Sequence, residues 1–174
     1  MIQRVLSLLL LLSLQLSAIE YNATLLVLEA KIFPKMILLN ENIDKDAQDL
    51  SIYILSEEID VHVAVELKEN IEANYPDKVS GKFIKVYVKK FDTFTNFPDA
   101  VIVLNHEEEK LEEIALWANE NGVISLGYDP AYMEYGILGS LYLGISTKPY
   151  FNAKKILKHG FIFNPNLLKI SKFR

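Results

Sequence analysis

The stretch AVIVLNHEEEKLEEIALWANENGVISLG, Ala100 to Gly127, decides the fold. Ala100 to Leu104 are continuously apolar and rich in β-branched side chains, the pattern of a strand covered on both faces. Asn105 is placed to cap a helix from about Glu107 to Asn121, with Leu111, Ile114, Ala115 and Ala118 as its buried stripe. Gly122 closes that helix, and Val123 to Gly127 reads as the next strand. The five glutamates at the start of the helix complement its N-terminal dipole and face solvent, so they are not a catalytic pair.

The same alternation extends toward the N-terminus. Lys82 to Val88, KFIKVYV, alternates polar and apolar residues as a strand with one wetter face would. Before it, Leu50 to Leu55 reads as a buried strand, followed by a helix from Ser56-Glu57-Glu58 to about Tyr75 that ends at Pro76-Asp77. The first helix spans about Ala23 to Phe33, with Leu25, Leu28 and Ile32 on one face and Pro34 as its stop. Downstream, GSLYLGIST (Gly139 to Thr147) reads as a further strand, then NAKKILKH as a short helix ended by Gly160. Strands alternating with helices of these lengths predict an α/β fold, a three-layer sandwich with a central, mostly parallel sheet flanked by helices.

The chain has 174 residues, 51% hydrophobic and 24% charged, which suits one domain with a proper core. Its 18 Lys and Arg against 23 Asp and Glu give a net charge of -5, and Arg4 and Arg174 are the arginines. That balance argues against nucleic acid as a partner. The absence of cysteine excludes disulfides, thiolate chemistry and cysteine-ligated zinc. At the N-terminus, Arg4 and the apolar run Val5 to Leu16 lead to Ser17-Ala18. The run is too short for a bilayer and reads as a secretory signal peptide, residues 1–18, or an uncleaved anchor, ahead of a single domain over 19–174. Its destination would be the periplasm.

No residue pattern supplies catalysis, a metal site or a cofactor. His62, His106 and His159 share no metal-ligand spacing, and Asp60, His62 and Glu66 fit neither strand nor helix periodicity as a set, so the histidines read as surface or boundary residues. Gly136, Gly139 and Gly144 lead into and through a strand and fail the strand–loop–helix order of a dinucleotide loop. The segment GYDPAYMEYG is different, because it follows a sheet strand at its carboxyl end, where open α/β sheets build sites. Tyr128, Asp129, Tyr132, Met133 and Tyr135 are the candidate partner-contact residues, local packing being the plainer alternative.

The C-terminal third, GSLYLGISTKPYFNAKKILKHGFIFNPNLLKISK, resembles the end of the periplasmic YfiR/HmsC-like family. The shared features are a Gly-rich lead into a strand, Asn152 opening a helix, Gly160 at its end and a final Leu-Leu-Lys. Upstream, LEAKIFPKMI, LSIYILSEE, DAVIVLN and GVISLGYD are similar to its opening helix and central strands, so the likeness spans most of residues 23–172. The resemblance implies a compact periplasmic domain without enzyme activity. It would bind the periplasmic part of an inner-membrane signalling protein, a diguanylate cyclase or sensor kinase, and repress or modulate its output, hence cyclic-di-GMP. A homodimer is compatible with such a domain, and no cofactor is implied. The lack of cysteine removes any redox control the family uses. The alternative expectation is a periplasmic small-solute binding or sensory domain. On this reading Phe161 to Phe163 adds an extended segment, and Leu167, Leu168 and Ile170 fold a last helical turn onto the domain.

Overall fold

A computed structural model describes residues 21–91, 96–104 and 106–174. The expected signal peptide and the Asn105 cap lie outside the described residues. The elements in chain order are α1 (Ala23–Leu38), β1 (Asp49–Leu55), α2 (Val61–Asn74), β2 (Phe83–Lys89), β3 (Ala100–Val103), α3 (Glu108–Glu120), β4 (Ile124–Gly127), β5 (Gly139–Leu143), β6 (Thr147–Phe151), α4 (Ala153–His159), α5 (Pro165–Ile170) and β7 (Lys172–Phe173). Short 3-10 turns at Glu58–Asp60 and Pro130–Tyr135 precede α2 and β5.

The seven strands form one sheet in the order β2-β1-β3-β4-β5-β6-β7. The pairs from β2 through β5 are parallel, β6 runs antiparallel to β5, and β7 is parallel to β6. Side chains alternate across the sheet, so β1 sends Leu50, Ile52 and Ile54 to one core and Leu55 to the other. The first core lies under α1 and α2, closed by Phe161, Phe163 and Leu167. Val101 and Val103 face the second, under Leu111, Ile114, Ala115 and Ala118 of α3, the stripe the sequence predicts. The fold is an α/β three-layer sandwich around a mostly parallel sheet.

Four local expectations need correction. Pro34 does not stop α1; it lies inside the helix, which continues to Leu38. Proline removes one i→i−4 hydrogen bond, but Phe33, Pro34, Met36 and Ile37 are all buried, and that burial outweighs the lost bond. The buried stripe of α1 is Leu26, Ala30, Phe33 and Ile37, while Leu25, Leu28 and Ile32 flank it half-buried. The segment after Ser56 enters a 3-10 turn before becoming α-helical at Val61. Residues 139–147 are not one strand: the chain reverses after Leu143 and returns as β6, pairing Gly139 with Phe151 and Leu143 with Thr147.

The tail is part of the body. Phe161 and Phe163 are buried while Ile162 points out, and the segment pairs with the end of α1 through Glu41 N–H to the Ile162 carbonyl (2.6 Å) and Asn164 N–H to the Leu39 carbonyl (2.8 Å). Asn152 caps α4, Gly160 ends it in the left-handed region at φ 70°, and Asn164 caps α5. In α5 only Leu167 is buried; Leu168 is half-buried and Ile170 is exposed, contrary to expectation, because a two-turn helix presents one apolar side.

Candidate functional site at the heads of the strands

In the order 2-1-3-4-5 the chain leaves β1 for α2 on one face and leaves β3 for α3 on the other. The crevice between those departures, at the carboxyl ends of the strands, is where such sheets place ligands. Glu57 follows β1 and His106 follows β3, and the His106 Nε2 lies 3.7 Å from Glu57 Oε1 across the gap. Burial pushes the His106 imidazole below its usual range, so this contact is not an ion pair at neutral pH. Glu57, Glu107 and Lys110 border an opening of about 380 Å³ there.

A second cleft, of about 270 Å³, lies between the first turns of α1 and α2 and is lined by residues including Tyr21, Leu26, Ile59, Asp60, His62 and Glu66. The structure thus gathers Asp60, His62 and Glu66 around one opening, although no single period aligns them. Among the described residues, no group of three His, Asp or Glu side chains is placed to hold a metal.

Behind these openings is a knot of buried polar groups. Glu29 is fully buried on α1, both its carboxyl oxygens lack a hydrogen-bond partner, and burial holds its pKa well above the usual carboxylate range. Asp60 Oδ2 and the Tyr132 hydroxyl are also buried without a partner. Burial is the first cause raising the Tyr132 phenol, with Asp129, Asp60, Tyr128 and Glu29 adding negative potential. The Tyr128 hydroxyl, raised by burial too, accepts a 2.8 Å hydrogen bond from Asn22 N–H, and its ring packs 4.8 Å from that of Tyr21.

The candidate contact residues therefore have mixed placements. Tyr128, Tyr132 and Met133 are buried, so they form no open contact face; the loop folds back over β4 as a 3-10 turn that packs them inward. Asp129 is half-buried and caps that turn, accepting from Ala131 N–H at 2.8 Å. Tyr135, half-buried, shares a hydrogen bond with Glu108. What the sequence reading missed is Glu29. Its signal was present, since it falls on the buried side of α1 three residues after Leu26 and four before Phe33.

The fold is a doubly wound α/β domain, and the two openings described lie at the strand carboxyl ends. It is similar in fold to the crystal structure of a conserved domain protein from Vibrio cholerae O1 biovar El Tor, with a TM-score of 0.56 and 11% identity over 85% of this chain and 59% of that one. This chain thus spans about three fifths of that protein's length, and the likeness concerns the fold. No protein-family model matches the chain, and no curated protein does. No helix among the described residues is long and apolar enough to cross a membrane.

Proposed function

We propose that this protein is a periplasmic regulatory binding domain that represses or modulates an inner-membrane signalling protein, a diguanylate cyclase or a sensor kinase, by occupying its periplasmic part. The observation that supports this reading is the C-terminal segment carrying the YfiR/HmsC-like resemblance. Of the residues that carry it, Asn152 caps α4, Gly160 ends that helix in the left-handed region and Leu167 is buried in the core. Such a regulator acts by occupancy, so holding its target ~99% bound needs a free concentration of ~100 times Kd. The test is capture from solubilised inner membranes with the tagged protein, together with cyclic-di-GMP and kinase output in a deletion strain. Recovery of a cyclase or kinase and a changed output are expected; unchanged output in the deletion strain rejects the proposal.

A second reading, a solute-binding or sensory domain, is favoured by the cleft between α1 and α2, because the buried carboxyl of Asp60 lies in its lining. Thermal-shift screening against metabolites and ions tests it: a saturable stabilisation is expected, and a blank screen rejects it.

A further inference from the structure

We propose that the tip of the β5–β6 hairpin inserts shallowly into a bilayer surface that carries acidic phospholipid. The inference goes beyond the regulatory reading and needs no protein partner.

The tip stands clear of the body. Leu55, Val103 and Gly127, the last residues of β1, β3 and β4, lie level with one another, and the Leu126–Gly139 pair puts Ser140 at that same level. Leu141, Tyr142 and Leu143 therefore carry β5 three residues further, about 10 Å at ~3.3 Å per residue, before the chain turns at 144–146. Ile145 at the turn is fully exposed, and Tyr142 and Leu143 behind it are exposed too. Single exposed apolar side chains are ordinary, but three together at the end of a projecting ribbon mark a contact site.

The order of residues along the hairpin matches a membrane interface. Ile145 and Leu143 come first, then Tyr142, whose ring has an apolar body and a polar end, opposite Lys148 in the ladder. Lys172 of β7 follows, its Nζ 5.4 Å from the centre of the Tyr142 ring. Apolar, then aromatic, then cationic is the succession of environments from acyl chains out to phosphate. Lys148 and Lys172 make no ion pair among the described residues, whereas Arg174 is paired with Glu134 at 2.8 Å. The wider charge distribution has the same sign: all 23 Asp and Glu precede Gly136, and residues 136–174 carry six Lys and Arg174. On a chain of net charge -5 the hairpin thus belongs to the one segment that an anionic surface attracts.

The convex shape favours a bilayer over a protein groove. A tip exposed all round needs a matching hollow in a protein, but fluid lipid closes around it. The chain also enters the described residues at this end, because the Tyr21 ring packs on Tyr128, which directly follows β4. The apolar run Val5 to Leu16, when retained as an anchor, therefore joins the body on the same side as the tip.

The cysteine-free chain allows a single reporter. An NBD fluorophore on Ser146→Cys in the full chain is titrated with vesicles of phosphatidylcholine, alone or mixed with an equal part of phosphatidylglycerol. The same label on Asp77→Cys is the control, exposed between α2 and β2 at the opposite end of the sheet. The tip label is expected to shift to the blue and saturate on the mixed vesicles, and the control label to stay unshifted. Leu143→Ser with Ile145→Ser should remove the shift. Lys148→Glu with Lys172→Glu should raise the lipid needed for half the shift at least about tenfold, each charge near the surface counting roughly fivefold. None of the four positions is buried, and the Ser pair serves if the Glu pair does not fold. The apolar run Val5 to Leu16 is common to every sample and cancels in the comparison. No blue shift at the tip, or a shift that the Ser pair retains, overturns the inference. An equal shift on neutral vesicles, unmoved by the Glu pair, overturns the assignment to acidic lipid. A tip label that shifts with detergent-solubilised inner-membrane protein but not with vesicles assigns the hairpin to a protein surface and overturns the inference as well. The regulatory reading is decided separately, by output in the deletion strain.

Discussion

Glu29 sets a pH dependence that surface carboxylates do not. Its folded-state pKa lies well above the ordinary value because burial disfavours the charged form. Below the unfolded pKa both states carry the proton and nothing is lost. As pH rises beyond it the unfolded chain releases that proton first, so stability falls until the folded pKa is passed. The slope reaches about 1.4 kcal/mol per pH unit for one proton. Urea denaturation from pH 5 to 8 should show this decline, and Glu29→Gln should flatten it; an unchanged slope in the variant would mean the carboxyl is solvated or paired. His106 acts in the opposite sense at lower pH. Burial lowers its folded pKa, so its contribution is lost as pH falls below the unfolded imidazole value, and His106→Gln should remove that loss in the same melts. Tyr128 is a simpler case. Removing the hydroxyl that accepts from Asn22 N–H in Tyr128→Phe should cost about 1 kcal/mol in the same assay, since the ring packing on Tyr21 is kept.

At the scale of elements, the parts legible in the sequence are those whose burial is uniform. Ala100 to Val103 are buried on both faces of the sheet centre, and their continuous apolar run announces it. The α3 stripe is legible because opposite sides of that helix meet opposite environments. Pro34 and the β5–β6 turn were not legible, for different reasons. A proline rule counts the lost hydrogen bond but cannot weigh the core that α1 covers beyond it. In the hairpin, Gly144 and Ser146 flank Ile145, and an exposed isoleucine at a turn mimics a strand residue. The tail lies between these cases: Asn152 opening α4 and Gly160 ending it were legible, and the Asn164 cap and the outward side of α5 were not. Leu167 is its buried anchor, so Leu167→Ala should cost about 2 to 5 kcal/mol in chemical denaturation. Truncation after Asn164 should be worse, because it also removes the β7 pairs Tyr150–Lys172 and Phe151–Phe173. Wild-type thermal stability in that truncation would show that the tail is not part of the cooperative unit.

The site is legible only at the scale of the whole molecule, since Glu29, Asp60 and the Tyr128–Tyr132 loop come from three segments far apart in the chain. The same scale exposes a seam in the sheet. From β1 to β4 the strands pair over four to seven positions, whereas β4 and β5 meet at a single pair, Leu126 with Gly139. A side-chain contact reinforces that seam: Ser125 Oγ accepts from Leu138 N–H at 3.0 Å. Gly139 must also stay small, because a Cβ there would lie 2.9 Å from the Tyr150 carbonyl oxygen. A sheet joined so narrowly should open in two steps, with β5, β6 and β7 exchanging their amide hydrogens at a lower free energy than β1, β3 and β4. Native-state hydrogen exchange in low denaturant resolves the two groups. Ser125→Ala leaves the Leu138 N–H buried without a partner, a loss of about 1 to 3 kcal/mol. That loss should fall on protection of the β5–β7 group first, while Ile52 and Ile102 in the central strands keep a larger margin. Equal loss of protection in both groups would show that the seam does not divide the sheet and that the domain opens as one unit.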